Sequence, residues 1–303
     1  MVQSADVMFE DMAEVPSQDP LRDLLHAVAR SDRRAFSELY ELTSPRLYAL
    51  CLRTTGRADL AEEALQEGYI RVWKSASQFD QVRGTALAWI TTVVRNRART
   101  LGAKAHRQSA AVDDGYDMAD APDAHAVSGF DKVLSAERVR RVRACLGNVD
   151  AEKKRALLLV YVEGLTHQEL ASRLEVPLGT AKSWVRRGLH QMGRCLGDST
   201  DLRGEAVHDL LAAEHELGVL PPTATPAFQR RRDLDAKYCA AADRWADDFS
   251  ALLTLLAPVR PRDAVWDVIS RETIAGRGMP FRGQHGLVLL ATFFVLMGIY
   301  LLG

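Results

Sequence analysis

At 303 residues the chain is long enough for two or three domains, and its net charge of −1 conceals strong local asymmetry. Cys51, Cys145, Cys195 and Cys239 stand apart, with no Cys-x-x-Cys or His-x-x-x-Cys spacing. That argues against a zinc site or a disulfide framework and fits a reducing, cytoplasmic compartment. A Gly-rich phosphate loop, a His-rich metal spacing and a Ser/His/Asp signature are all missing, so no enzyme, no cofactor, no metal and no catalytic residue is predicted.

The N-terminus is acidic (Asp6, Glu10, Asp11, Glu14) and lacks the basic-then-apolar pattern of a signal peptide. Strand-like alternation is absent, and Ala, Leu, Arg and Glu dominate, so the predicted fold is all-α. A first helical domain is predicted over 20–108. Within it, 59–73 forms one helix whose inner stripe is Ala61, Ala64, Leu65, Gly68, Tyr69 and Val72. Glu62, Glu63, Gln66 and Glu67 then make an acidic outer patch. A loop at 79–85 follows, and a helix over 86–99 mixes aromatic, hydroxyl and cationic groups.

Residues 82–107 carry six Lys/Arg and no acid, which points to a polyanion partner. Aromatic planes stack on unpaired bases while Arg and Lys neutralise phosphates, so the helix over 86–99 is suited to single-stranded DNA. The plainer reading makes Trp73 and Trp89 core residues. Residues 109–127 hold five Asp and no Lys or Arg, and 109–130 reads as a flexible acidic linker.

A second helical domain is predicted over 131–197. Thr166 is a good N-cap, and Glu169 lies where a capping box wants it. Pro177 stops that short helix and can start the next. Leu178, Ala181, Val185, Leu189, Met192 and Leu196 recur at three- and four-residue steps and make a core-facing stripe. Thr180, Ser183, Arg187 and His190 fall on the far side, with Lys182 and Arg186 on a flank. Residues 177–195 hold four Lys/Arg and no acid, the composition of a recognition helix in a helix-turn-helix. An ordinary surface helix with a basic face is the plainer alternative.

A third helical segment, 202–270, carries an apolar stripe at Leu234, Tyr238, Ala241, Trp245, Phe249, Leu252 and Leu256. It is read either as a small self-contained bundle or as a face that needs a partner surface. Residues 286–302 are uncharged. As a helix this segment reaches ~25 Å, the lower edge of a membrane span, with Arg271, Arg277 and Arg282 on the predicted cytoplasmic side. A buried helix of a soluble domain is the alternative.

Glu62-Glu63-Ala64-Leu65-Gln66-Glu67, Phe79-Asp80-x-x-Arg83-Gly84, Ala88-Trp89 and Arg95-Asn96-Arg97-Ala98 resemble region 2 of an extracytoplasmic-function (ECF) RNA polymerase sigma factor. Glu163-Gly164-Leu165-Thr166 through Pro177-Leu178-Gly179-Thr180-Ala181-Lys182-Ser183-Trp184-Val185-Arg186-Arg187-Gly188-Leu189 resembles region 4 of the same family. The resemblance covers roughly 20–197 and implies three surfaces. Glu62, Glu63, Gln66 and Glu67 would meet core RNA polymerase. Phe79, Asp80, Arg83, Trp89, Thr92, Arg95, Asn96 and Arg97 would hold the melted −10 element, with a base flipped into a pocket at the 79–85 loop. Thr166, Gly179, Thr180, Lys182, Ser183, Arg186, Arg187 and His190 would read the −35 duplex. After Ala98 the family usually continues with an aliphatic residue and Asp; Arg99-Thr100 stands here instead.

The third segment more loosely resembles the sigma-binding domain of membrane-anchored anti-sigma factors, without their usual zinc-binding His/Cys cluster. The whole chain then reads as a sigma factor that selects promoter DNA for the polymerase. Residues 202–270 would contact its sigma domains intramolecularly, and 286–302 would tether it to the inner membrane with the N-terminus in the cytoplasm. Two rivals are a membrane-anchored helix-turn-helix regulator that does not act through core polymerase and a sigma factor whose 202–270 segment senses a small molecule.

Overall fold

A computed structural model describes residues 19–108, 135–197 and 207–275. Every regular element among the described residues is helical. The acidic linker over 109–130 and the apolar tail over 286–302 lie outside them. Among the described residues no helix is long and apolar enough to cross a membrane.

Four helices make the first unit: α1 (Pro20–Ala29), α2 (Arg33–Thr55), α3 (Ala58–Ser75) and α4 (Ala86–Gln108). Short polar residues start the first two. Asp19 accepts from the Arg22 amide at 3.2 Å, and Asp32 accepts from the Arg34 and Ala35 amides at 2.8 and 3.1 Å. Gly56 ends α2 in the left-handed region at φ 66°. The predicted inner stripe of α3 is buried: Ala61, Ala64, Leu65, Tyr69 and Val72 have no exposed surface. Tyr69 closes this core by pairing its hydroxyl with Thr43 at 2.5 Å.

The second unit comprises α5 (Ala136–Gly147), α6 (Ala151–Glu163), α7 (His167–Arg173) and α8 (Leu178–Leu196). Ala181, Val185, Leu189, Met192 and Leu196 of α8 are buried, but Leu178, in its first turn, is 36% exposed. Cys145 of α5 and Cys195 of α8 form a disulfide, with their Cα atoms 5.5 Å apart. This corrects the expectation of four unpaired thiols: fifty residues separate the two cysteines in sequence, and helix packing brings them together. Cys51 is free and buried; Cys239 is free and half-buried.

The third unit is α9 (Val207–Leu217), α10 (Thr225–Leu234), α11 (Ala236–Ala251), a 3-10 turn (Leu252–Leu255), α12 (Asp263–Ser270) and a closing π turn (Arg271–Ala275). Its own core centres on Trp245, which is fully buried and donates its indole N–H to Asp209 at 3.1 Å. That bond lets a carboxylate sit inside the α9–α11 contact. Tyr238, Ala241, Phe249, Leu252 and Leu256 are buried too, whereas Leu234, placed on the same stripe by its spacing, is 87% exposed. Leu234 is the last residue of α10, and the stripe proper begins after the Asp235 cap of α11.

This unit needs its neighbours. α11 packs on α4 and α5, α9 on α8, the 3-10 turn on α2 and α5, and α12 on α3. Phe249 meets Trp245 at 5.2 Å on one side and Tyr161 of α6 at 5.7 Å on the other, so one apolar core runs across the boundary. The first two units also touch directly, through a 2.8 Å bond from the Thr54 hydroxyl to the Val162 carbonyl.

Candidate nucleic-acid and polymerase interface

The 79–85 loop is built from local rules. Asp80 caps a 3-10 turn at Gln81–Arg83 by accepting from the Val82 amide at 2.9 Å. Gly84 follows at φ 142°, a conformation that L side chains rarely adopt. Thr85 then opens α4, its carbonyl accepting from the Trp89 amide at 3.1 Å. The result is a cavity of about 220 Å³ whose lining includes Phe79, Asp80, Arg83, Trp89 and Thr92. Five of the predicted −10 residues therefore converge on one hollow. The Phe79 and Trp89 rings meet edge-on, centroids 6.0 Å apart, and His26 of α1 backs Phe79 at 5.9 Å. The opposite wall belongs to the third unit: Glu216, Arg232, Asp243 and Ala246.

The remaining −10 candidates separate. Asn96 is exposed. Arg97 turns toward α3 and pairs with Glu67, with Glu63 at 3.9 Å. Arg95, which the resemblance places on the −10 strand, is covered by other parts of the chain. It is 5% exposed and donates to three backbone carbonyls: Tyr161 at 3.1 Å and Glu216 and Leu217 at 2.7 Å each. Its guanidinium also lies over the Tyr161 ring, 4.6 Å from the centroid. Burial pulls its pKa down to about 10, with neighbouring Arg99 adding to the effect.

Arg99, the residue that breaks the family pattern, donates to the Gly218 carbonyl. Gly218 sits at φ 83°, a conformation that L side chains rarely adopt, and a Cβ there would press on the Arg99 guanidinium. At the other end of α4, the Thr85 amide and hydroxyl both donate to Asp247 Oδ1 at 2.8 Å. The second oxygen of Asp247 pairs with Arg138 of α5 at 3.1 Å. One carboxylate thus ties the first and second units together.

The acidic patch divides in the same way. Glu63 and Glu67 are exposed and Gln66 is half-buried, but Glu62 is 7% exposed, contrary to its expected outer position. Arg262 covers it, with a 2.6 Å bond from Nε to Oε1 and a second from Nη2 to Oε2. Beside this pair, Trp266 of α12 packs on Phe36 and Tyr40, ring centroids 5.7 and 4.7 Å away. Upstream, the buried Arg46 of α2 donates to the carbonyls of Leu253 and Leu256 at 3.2 and 2.7 Å, and the Val259 amide donates to Pro45 at 3.0 Å.

In the second unit the capping box is complete. The Glu169 amide donates to the Thr166 hydroxyl at 3.3 Å, and the Thr166 amide donates to the Glu169 carboxylate at 2.7 Å. α7 and α8 then form the predicted helix-turn-helix, with Glu175 in its turn at φ 54°. Gly179, Lys182, Arg186 and Arg187 are exposed together with Thr166, and Thr180, Ser183 and His190 are half-buried. Sequence reading placed Thr85 in the 79–85 loop but missed Arg46 and Asp247. The one available signal was the four-residue spacing of Arg95 and Arg99, which puts both guanidiniums on one side of α4.

A helical core with a hydroxyl-, aromatic- and arginine-lined pocket, joined to a basic helix-turn-helix, defines a promoter-recognition protein of the sigma-70 type. Residues 39–108 match the sigma-70 region 2 family, and residues 140–192 match sigma-70 region 4. The ECF RNA polymerase sigma factor SigK of Mycobacterium ulcerans (strain Agy99) is 34% identical over 181 residues, 60% of this chain and 96% of that protein. SigK of Mycobacterium tuberculosis (strain ATCC 25177 / H37Ra) is 35% identical over 175 residues, 57% of this chain and 91% of the relative. A solved structure of CnrH in complex with the cytosolic domain of CnrY aligns at 18% identity and a TM-score of 0.29, over 59% of this chain and 97% of that one. The chain belongs to the ECF RNA polymerase sigma factors, non-enzymatic initiation factors that bind core polymerase and promoter DNA.

Proposed function

We propose that this sigma factor is held inactive in cis by residues 207–275, which act as a built-in anti-sigma module. The observation that carries the reading is the pair of contacts at Glu62 and at Arg95. Arg262 covers Glu62, on the surface assigned to core polymerase. The end of α9 takes up Arg95, on the surface assigned to the −10 strand. One segment of the same chain covers Glu62 on one surface and Arg95 on the other, so full engagement of either partner requires that segment to leave. Linkage makes a modest contact effective, because a tethered inhibitor acts at an effective concentration of about millimolar.

In the released state, Phe79, Asp80, Arg83, Trp89 and Thr92 would take a flipped −10 base into their pocket, while Arg95, Asn96 and Arg97 steady the strand. Glu62, Glu63, Gln66 and Glu67 would face the polymerase. Thr166, Gly179, Thr180, Lys182, Ser183, Arg186, Arg187 and His190 would contact the −35 duplex, phosphate contacts giving affinity and base contacts selection. The uncharged run 286–302 would tether the inhibited protein to the inner membrane with these units in the cytoplasm.

In vitro transcription with core polymerase over a library of −35/−10 promoters tests this. Residues 1–199 should initiate from a defined promoter class, and residues 1–285 should be repressed on the same templates. Equal activity would remove the inhibitory role. Duplex binding by 1–199 without initiation would favour a regulator that does not act through polymerase.

A further inference from the structure

We propose that residues 207–275 inhibit by standing in for the sugar–phosphate backbone of a single DNA strand, so that single-stranded DNA and this segment compete atom for atom for the donors on α4. The inference rests on the inhibitory reading above and specifies its chemistry.

Thr85, Thr92 and Arg99 recur every seven residues, about two turns, and so share one stripe of α4, with Arg95 on its flank. The stripe offers the amide and hydroxyl of Thr85 at its start and two guanidiniums at its end. This is a donor set for a chain of anionic oxygens. The third unit answers it with acceptors at both ends. At the start, Asp247 Oδ1 takes both Thr85 donors at 2.8 Å. Asp243 lies one turn earlier on α11, and a Cβ added to Gly84 would come within 3.3 Å of Asp247 Oδ1 and 3.8 Å of the Asp243 Cβ. At the far end the acceptors are the carbonyls of Glu216, Leu217 and Gly218, where α9 finishes. A helix C-terminus carries about half a negative charge, which makes this carbonyl cluster a fair substitute for a phosphate.

A purely steric cover needs no such matching, and it would leave Arg95 stripped of water at a cost of several kcal/mol. Here every nitrogen of the Arg95 guanidinium has an acceptor. Between the two anchored ends the segment does not fill the hollow. A cavity of about 220 Å³ remains between Phe79, Trp89 and Thr92 on one wall and Glu216, Arg232, Asp243 and Ala246 on the other. The segment therefore reproduces the backbone contacts and omits the base.

Hydrogen exchange of the full chain should be followed at low salt while a single-stranded oligo(dT) of about twelve nucleotides is titrated in, a length within the site sizes of single-strand grooves. Exchange at 243–254 and at 214–219 should rise together, saturably, with oligo(dT). The same strand paired to oligo(dA) should not raise it. Fluorescence anisotropy should show Asp247→Asn binding oligo(dT) roughly tenfold more tightly than wild type, because a charge-assisted contact is lost from the closed state only. Arg262→Ala, which loosens the segment away from α4, should leave that affinity within about twofold.

Saturation with oligo(dT) without deprotection of 243–254 would overturn the proposal, as would equal tightening by Arg262→Ala and Asp247→Asn. If 1–285 stays repressed in transcription under those outcomes, inhibition in cis survives and only the backbone substitution fails. Equal transcription by 1–199 and 1–285 removes both.

Discussion

Glu214 shows how a single side chain registers the closed arrangement. Packing of α9 against α8 strips water from its carboxyl and raises its pKa, and Arg186 opposes this more weakly. A raised carboxylate pKa means that the closed state binds a proton more readily than the open chain. Its stabilising contribution is complete below the ordinary carboxylate range and fades as pH rises through the raised value. Glu214→Gln, which cannot ionise, should melt above wild type at pH near 7, and the difference should shrink as pH falls toward the carboxylate range. Thermal melts of both proteins across that window check it; a constant gap would mean that Glu214 does not feel the contact.

At the scale of elements, α12 and the α5–α8 pair make separate predictions. α12 is short; the Arg262–Glu62 pair at its start ties it to α3, and Trp266 packs on Phe36 and Tyr40 of α2. Trp266→Ala removes an aromatic anchor that is only half-buried, so the expected loss is about 2 kcal/mol, below the cost of a fully buried Trp. Exchange at 263–270 should rise while α11 stays protected, and the full chain should bind core polymerase more tightly in a pull-down titration. In the second unit, the Cys145–Cys195 bridge closes a loop of 50 residues in sequence. The chain-entropy estimate for such a loop is about 4 kcal/mol, so Cys145→Ser with Cys195→Ser should lower the melting temperature of this unit markedly. A shift of less than about 2 °C would show that helix packing alone holds α5 to α8.

For the whole molecule, the sequence carried the parts better than their assembly. The Thr166 cap was legible because a capping box is written in four consecutive residues, and the stripe of α3 because a helix repeats itself locally. Phe79, Asp80, Arg83, Trp89 and Thr92 lie close in sequence, so one loop and the helix after it gather them. The covering of Glu62 and Arg95 was not legible, for a different reason. An amphipathic pattern marks a polar face as outward, and nothing in its period tells whether another part of the chain will cover that face. Arg46 reaches acceptors more than two hundred residues away, at Leu253 and Leu256. Such pairs become visible only once the third unit is in place.

The chain order of the third unit has a kinetic corollary. α12 lies closest to the C-terminus and guards Glu62, whereas α9 and α11 come earlier and guard α4. A pull or a cut that acts from the C-terminal side would unpeel α12 first, at the cost of the Arg262–Glu62 pair, the Trp266 contacts with Phe36 and Tyr40, and the burial of Val265 and Ile269. The surface proposed to face core polymerase would then be bare while the surface proposed to face the strand stays shut. On the inhibitory reading, the first product of opening would be an idling holoenzyme, with polymerase already recruited and the promoter strand not yet admitted. Initiation would then be a two-latch process whose order is written into the polypeptide's direction.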